Sequence, residues 1–176
     1  MIKYKKIISL LVIISFSVIF NNANANANAS IKIKELGKSK SWFAFTKLGK
    51  VRSCYIFSEP IKTTGNFNRK NRSKAGVFVV NTKGGTKYEI SVTAGFKFKH
   101  RSPIIFNVDG KKTEFFSNEE TAWSESAKLD RILVQSMRKG KELVITGTSS
   151  PGNKIVDTYS LSGFTKALRL IDKDCS

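Results

Sequence analysis

The stretch from Met137 to Cys175 constrains the fold of this chain more than any other part of it. It reads as a helix end, a strand, a loop, a second strand and a short amphipathic helix that closes on a cysteine. Arg138 and Lys139 complement the negative end of a helix dipole, and Gly140 is the expected left-handed cap. Glu142 to Gly147 and Lys154 to Ser160 have strand character. The last helix, about Gly163 to Lys173, places Phe164, Ala167, Leu168 and Ile171 at i, i+3, i+4 and i+7, with Ser162 as the expected N-cap. The loop Gly147 to Lys154 has the GxxxxG opening of a phosphate-binding loop. Asn153-Lys154 then replaces Gly-Lys, no Ser or Thr stands in the metal-binding place, and a strand follows where that motif needs a helix N-terminus. It is read as a hairpin loop.

Upstream, the pattern is mostly strands. Ile31, Ile33 and Leu36 suggest a leading strand or arm, and Trp42 to Thr46 alternates Trp42, Ala44 and Thr46 against Phe43 and Phe45. Leu48-Gly49-Lys50 turns the chain into a strand from Val51 to Ser58 that carries Cys54 and stops at Pro60. Residues 61–75 read as a loop. Val77 to Asn81 and Tyr88 to Ala94 form a hairpin around Gly84-Gly85, Gly95 marks a bulge or bend, and Phe96 and Phe98 continue the alternation. Asp109-Gly110 between two apolar runs predicts a type I′ turn. A helix is expected from about Ala127 to Lys139, capped by Ser126, with Asp130 in its first turn and Leu129, Ile132, Leu133 and Met137 on one face. About eight short strands and two helices, with no βαβ rhythm and no internal repeat, fit a mainly β antiparallel sandwich with the helices at one edge or end.

The N-terminus points to export. Lys3, Lys5 and Lys6 precede an apolar core, Ile7 to Phe20, of signal-peptide length and shorter than a membrane span. Small residues at Ala25, Ala27 and Ala29 offer cleavage frames, and a cut after Ala29 is preferred; an uncleaved anchor is the alternative. The expected organisation is therefore a leader over residues 1–29 and one domain over 30–176, located in the periplasm or cell envelope, or secreted. The whole chain carries 31 Lys and Arg against 13 Asp and Glu, a net charge of +18, and only three of those lysines fall in the leader. A solvated basic surface accounts for this charge, and a specific polyanion site is the alternative. Two cysteines in an exported chain imply one disulfide, Cys54 to Cys175, with a metal site or a nucleophilic cysteine as the alternative.

Catalytic patterns are sparse. The chain has one histidine, His100, in a basic loop without an acidic neighbour in sequence, and no GxSxG elbow. No metal-ligand spacing is present, and Glu119-Glu120 reads as a solvated pair. Two basic loops with aromatics are better candidates for binding an anion. Lys62, Arg69, Lys70, Arg72 and Lys74 surround Phe67, and Lys97, Lys99 and Arg101 are interleaved with Phe96 and Phe98. Charged loops beside core phenylalanines are the bland alternative.

Several pieces of the chain resemble the invasion-associated locus B family of bacterial envelope proteins. They include Cys54-Tyr55, Ser58-Glu59-Pro60, Asp109-Gly110, Ala122-Trp123, Asp130 to Val134, Met137 to Gly140, Gly147-Thr148-Ser149, the run Asp157 to Phe164, and Cys175. The resemblance spans about Trp42 to Cys175 and is most specific in the last third. It implies an exported envelope protein with an immunoglobulin-like β-sandwich, linked in host-associated bacteria to entry into host cells, and it carries over no catalytic residue. Family members commonly have Arg-Gly after the Thr-Ser, where this chain has Ser150-Pro151-Gly152. The expectation is a non-enzymatic binding protein without cofactor or metal, monomeric by default. Its partner would be an envelope or host-surface component; the alternative is a polyanion-binding periplasmic module for lipopolysaccharide, anionic lipid or nucleic acid. A small envelope hydrolase is the rival from another class.

Overall fold

A computed structural model describes residues 31–175, so the expected leader lies outside the described residues. Eleven strands and two helices follow in the order β1 (Lys32–Ser39), β2 (Trp42–Leu48), β3 (Ser53–Ser58), β4 (Lys62–Gly65), β5 (Gly76–Thr82), β6 (Lys87–Thr93), β7 (Ile104–Val108), β8 (Lys111–Asn118), β9 (Thr121–Trp123), α1 (Ala127–Lys139), β10 (Glu142–Thr148), β11 (Lys154–Ser160) and α2 (Phe164–Asp174). All pairings are antiparallel, in the spatial order β1-β2-β3-β5-β6-β9-β8-β7-β10-β11-β4. The mainly β antiparallel architecture with two helices in the C-terminal third is as expected. Two limbs, β1-β2-β3-β5-β6-β9 and β7-β10-β11-β4, are hydrogen-bonded into one sheet through β8, whose first residues pair with β7 and whose last residues pair with β9.

Period-two alternation builds each limb. Trp42, Ala44 and Thr46 are buried and Phe43 and Phe45 are half-buried on the other face, as their spacing predicts. Inward residues of β2, β3, β5 and β6 form one core with those of β7, β8 and β10. Trp42 joins the limbs: its Nε1 donates to the carbonyl of Ser160 at 2.9 Å, and its ring meets Phe164 edge-on at 4.9 Å. α2 packs on β1, β2 and β3, and α1 on β6. Asp172 on α2 accepts from Asn81 Nδ2, Tyr88 Oη and Arg138 Nη2, which binds both helices to the sheet.

Asp109 and Gly110 have φ of 47° and 92°, the pair of positive values that a type I′ hairpin requires. Other local expectations change. Residues 61–75 are not wholly loop: Lys62–Gly65 adds to the free edge of β11 as β4, satisfying backbone groups that would otherwise be bare. Phe96 and Phe98 do not extend a strand, because Gly95 turns the chain away and only Phe98 forms a bridge, to Ser149. Gly140 is extended, with φ of −80°, and is small because a Cβ there would stand 2.8 Å from Leu161 and from Val108. The N-cap of α2 is Gly163 and not Ser162; with φ of 91° it turns the chain tightly against the Ser39 carbonyl, where no side chain fits. The buried stripe of α1 is Asp130, Leu133, Val134 and Met137, and Ile132 is 53% exposed. That rotation follows from Asp130, whose carboxylate is drawn inward to accept from Ser124 Oγ at 2.7 Å and Ile90 N at 3.3 Å.

Cys54 and Cys175 form the expected disulfide across 121 residues, with Cα atoms 5.9 Å apart. It staples the end of α2 to β3. Cys54→Ser is expected to cost roughly 2–5 kcal/mol, read by urea unfolding of the oxidised protein. An unchanged unfolding midpoint would show that the staple contributes nothing to stability.

Burial raises the pKa of Asp130 against the lowering effect of its hydrogen bonds from Ser124 and Ile90. The fold thus disfavours the ionised form. At low pH the group is protonated in both states and costs nothing. As pH climbs past the unfolded value of about 3.9, the unfolded chain loses this proton first, and the contribution to stability falls until the folded group also ionises. Asp130→Asn keeps an acceptor for Ser124, so its stability relative to the parent should improve as pH rises from about 4 to about 7. A pH-independent difference in unfolding free energy would exclude Asp130 as the source.

Candidate anion-binding site

The two basic loops named by the sequence come together around Arg72. This side chain is only 9% exposed and forms a double ion pair with Asp157 of β11, itself 6% exposed. Its Nε donates to the Ala94 carbonyl at 2.8 Å, and its guanidinium lies 5.4 Å from the Phe67 ring and 5.2 Å from the Phe96 ring. Thr63 Oγ1 donates to Asp157 at 2.7 Å, and Ser73 N donates to the Gly95 carbonyl at 2.9 Å. Arg72 is thus the tie that holds loop 66–75 against the chain at Gly95, and its charge is met inside the protein.

Around this tie lie two shallow clefts that share Phe67 and Arg72. One, about 310 Å³, is lined by Glu59, Thr63, Arg69 and Lys74; the other, about 280 Å³, by Asn68, Phe96, Ser149 and Pro151. Asn68 caps a short 3₁₀ turn, Arg69–Asn71, by accepting from Lys70 N, and this turn holds up Arg69 and Lys70. Arg69 also donates to the Thr63 carbonyl. Lys74 sits 4.0 Å from Glu59 and Lys97 2.8 Å from Glu119, both pairs exposed and worth little in water. Lys62, Arg69, Lys70, Lys99 and Arg101 have no carboxylate within ion-pairing distance among the described residues. Lys97 and Lys99 are held by backbone bonds with Ser150 and Thr148, so the second loop leans on the β10–β11 turn. Arg101 faces a different cleft. Pro151, in the turn between β10 and β11, borders the Phe96 side of the site.

Arg101 lines a cleft of about 510 Å³ with His100, Ser102, Glu114 and Glu125. The two glutamates come from β8 and the segment before α1, which is why sequence proximity to His100 did not reveal them. No hydrogen bond or ion pair among the described residues joins His100 to either. Beside Asp157, the buried Tyr159 phenol has its pKa pushed up by burial first and by the Asp157 charge second, so it holds its proton at neutral pH. Among the described residues the one three-membered group of potential metal ligands is Cys54, Asp174 and Cys175, and the disulfide consumes both thiolates.

A surface that periodicity alone did not single out lies on the outer face of the sheet. Phe43, Phe57 and Phe78 are register partners across β2, β3 and β5, and Phe45 pairs with Tyr55 beside them. Their rings lie 4.7–6.4 Å from their neighbours' rings. Such cross-strand aromatic pairs stabilise a sheet.

Removing one partner of the Arg72–Asp157 pair strands a buried charge. Arg72→Met or Asp157→Leu alone should each cost about 3–5 kcal/mol, while the double substitution should recover most of the loss. Equal, additive losses in denaturant unfolding would show that the two do not act as a pair.

The family model described as "Invasion associated locus B (IalB) protein" matches residues 42–172. Among solved structures, the crystal structure of invasion associated protein B from Bartonella henselae superposes with a TM-score of 0.54 at 18% identity, covering 80% of this chain and 98% of that one. No curated protein matches the chain. No helix among the described residues is long and apolar enough to cross a membrane.

Proposed function

The chain belongs to the invasion associated locus B family, and on that premise we propose that it is an exported, non-catalytic envelope protein that works by binding an anionic envelope or cell-surface component. The observation that carries this reading is the Arg72 tie. A buried arginine holds two basic loops together, and of the cations left at their surface Lys62, Arg69, Lys70 and Lys99 have no carboxylate within ion-pairing distance among the described residues. Arg69 and Lys70 stand on a capped 3₁₀ turn, with the half-buried Phe67 ring beside them and Lys62 on the neighbouring edge strand. An anion meeting this surface gains charge–charge attraction from the loops and an apolar contact from Phe67. Lys99 extends the cationic surface along the second loop. Binding through this surface needs no reacting group, cofactor or metal.

The test is binding of the processed, oxidised protein to phosphatidylglycerol vesicles and to purified lipopolysaccharide, each across a salt series. Affinity should fall roughly tenfold or more between about 50 and about 300 mM salt. Arg69→Glu with Lys70→Glu should weaken it by a further factor of about ten at low salt. Binding that ignores salt, or that survives the double charge reversal unchanged, would remove the anionic reading.

A further inference from the structure

We infer that the cleft between α1 and the β7–β8 hairpin is a second anion site, shaped for a ligand with two phosphate groups joined by a short, partly apolar body. The inference rests on the reading that the protein binds anions, but it uses different residues. The cleft has a volume of about 640 Å³, and its cations are Lys111, Lys128, Arg131 and Lys139. None of the four has a carboxylate within ion-pairing distance among the described residues. The one acidic wall residue, Asp109, is already engaged: its two oxygens accept from the backbone N–H groups of Lys141 at 2.9 Å and Glu142 at 3.0 Å.

Alternating charge along a helix face marks a solvent-exposed helix laced with ion pairs, whereas the α1 side of this cleft carries charge of one sign. α1 has a single acidic residue, Asp130, and it is buried on the opposite side. Lys128 sits in the first turn, where the helix dipole disfavours a cation, and Arg131 follows three residues later without an ion pair among the described residues. The inward pull on Asp130 also leaves Ile132 exposed in the cleft, where it and Val108 supply apolar surface amid the charge.

The spacing defines the ligand. Lys128 and Arg131 form one cationic end, and Lys139, with Lys111 from the hairpin beside Gly140, forms the other. At 1.5 Å rise per residue the ends lie roughly 12–16 Å apart along the helix, a gap that long lysine side chains shorten. Three lysines and one planar guanidinium suit phosphate oxygens, and the apolar middle suits a hydrocarbon or sugar-ring spacer.

The test is isothermal titration calorimetry with 1,6-hexanediol bisphosphate, hexyl phosphate and inorganic phosphate. A parallel arm compares cardiolipin with phosphatidylglycerol vesicles at equal phosphate. The bisphosphate should bind about tenfold tighter than hexyl phosphate. Lys128→Ala with Arg131→Ala should bring it down to the hexyl phosphate level, while Arg69→Ala with Lys70→Ala should leave it within about twofold. The same selectivity confined to cardiolipin vesicles would assign the site to a lipid headgroup, and in the soluble bisphosphate to a free ligand. Should the first pair fail to fold, Lys111→Gln with Lys139→Gln carries the same expectation. Equal binding of mono- and bisphosphates in both arms, no binding in either, or equal losses in the loop and cleft variants would overturn the inference. If phosphatidylglycerol binding persists while bisphosphate selectivity is absent, this inference alone fails; loss of all anion binding fails the proposed function as well.

Discussion

The indole of Trp42 is completely buried where β2, β11 and α2 meet, and it ties these three elements together. Its ring N–H has to find an acceptor once removed from water, and the Ser160 carbonyl at the end of β11 supplies it. That bond brings the β7–β10–β11 limb against β2, and the edge contact with Phe164 seats the first turn of α2 in the same place. Only with α2 so placed does Cys175 reach Cys54, and only then does Asp172 reach Asn81 and Tyr88. The disulfide secures an arrangement that packing has already selected.

The two candidate anion sites are built on different supports. The loop site exists because a buried ion pair, Arg72 with Asp157, fastens a polar segment to the rim of the sheet. A buried pair of this kind adds little net stability over apolar residues of the same size, but it fixes one geometry. The cleft beside α1 depends instead on a helix rotated by its own buried carboxylate. Asp130 occupies a place on the inward stripe, and the price is an exposed Ile132 among cations. In both, an internal acidic group determines where cations stand on the surface.

The fold subdivides into parts of unequal legibility. Strands with one wet face, such as β2 and the β7–β8 hairpin, show their period and turn chemistry directly, so Trp42 to Thr46 and Asp109-Gly110 were readable. The edge strand β4 was not, because Lys62-Thr63-Thr64-Gly65 buries almost nothing and pairs only because β11 offers it a free edge. The role of Arg72 was equally hidden. In the sequence it is one of five basic groups in a loop, and its partner lies 85 residues away. Glu114 and Glu125 reach the cleft of His100 by the same kind of distant convergence.

What the sequence determined by itself was the local and the covalent: strand and helix periods, the glycine turns, the one pair of cysteines, and the family-like run from Met137 to Cys175. Those depend on interactions between near neighbours, or on there being a single way to pair two thiols. The tertiary structure alone decided which cations are consumed and which remain on the surface, which face of α1 turns inward, and which loops share a cleft. Those outcomes depend on buried hydrogen bonds and ion pairs between residues far apart in the chain. Their energies come from desolvation that exists only once the core has formed.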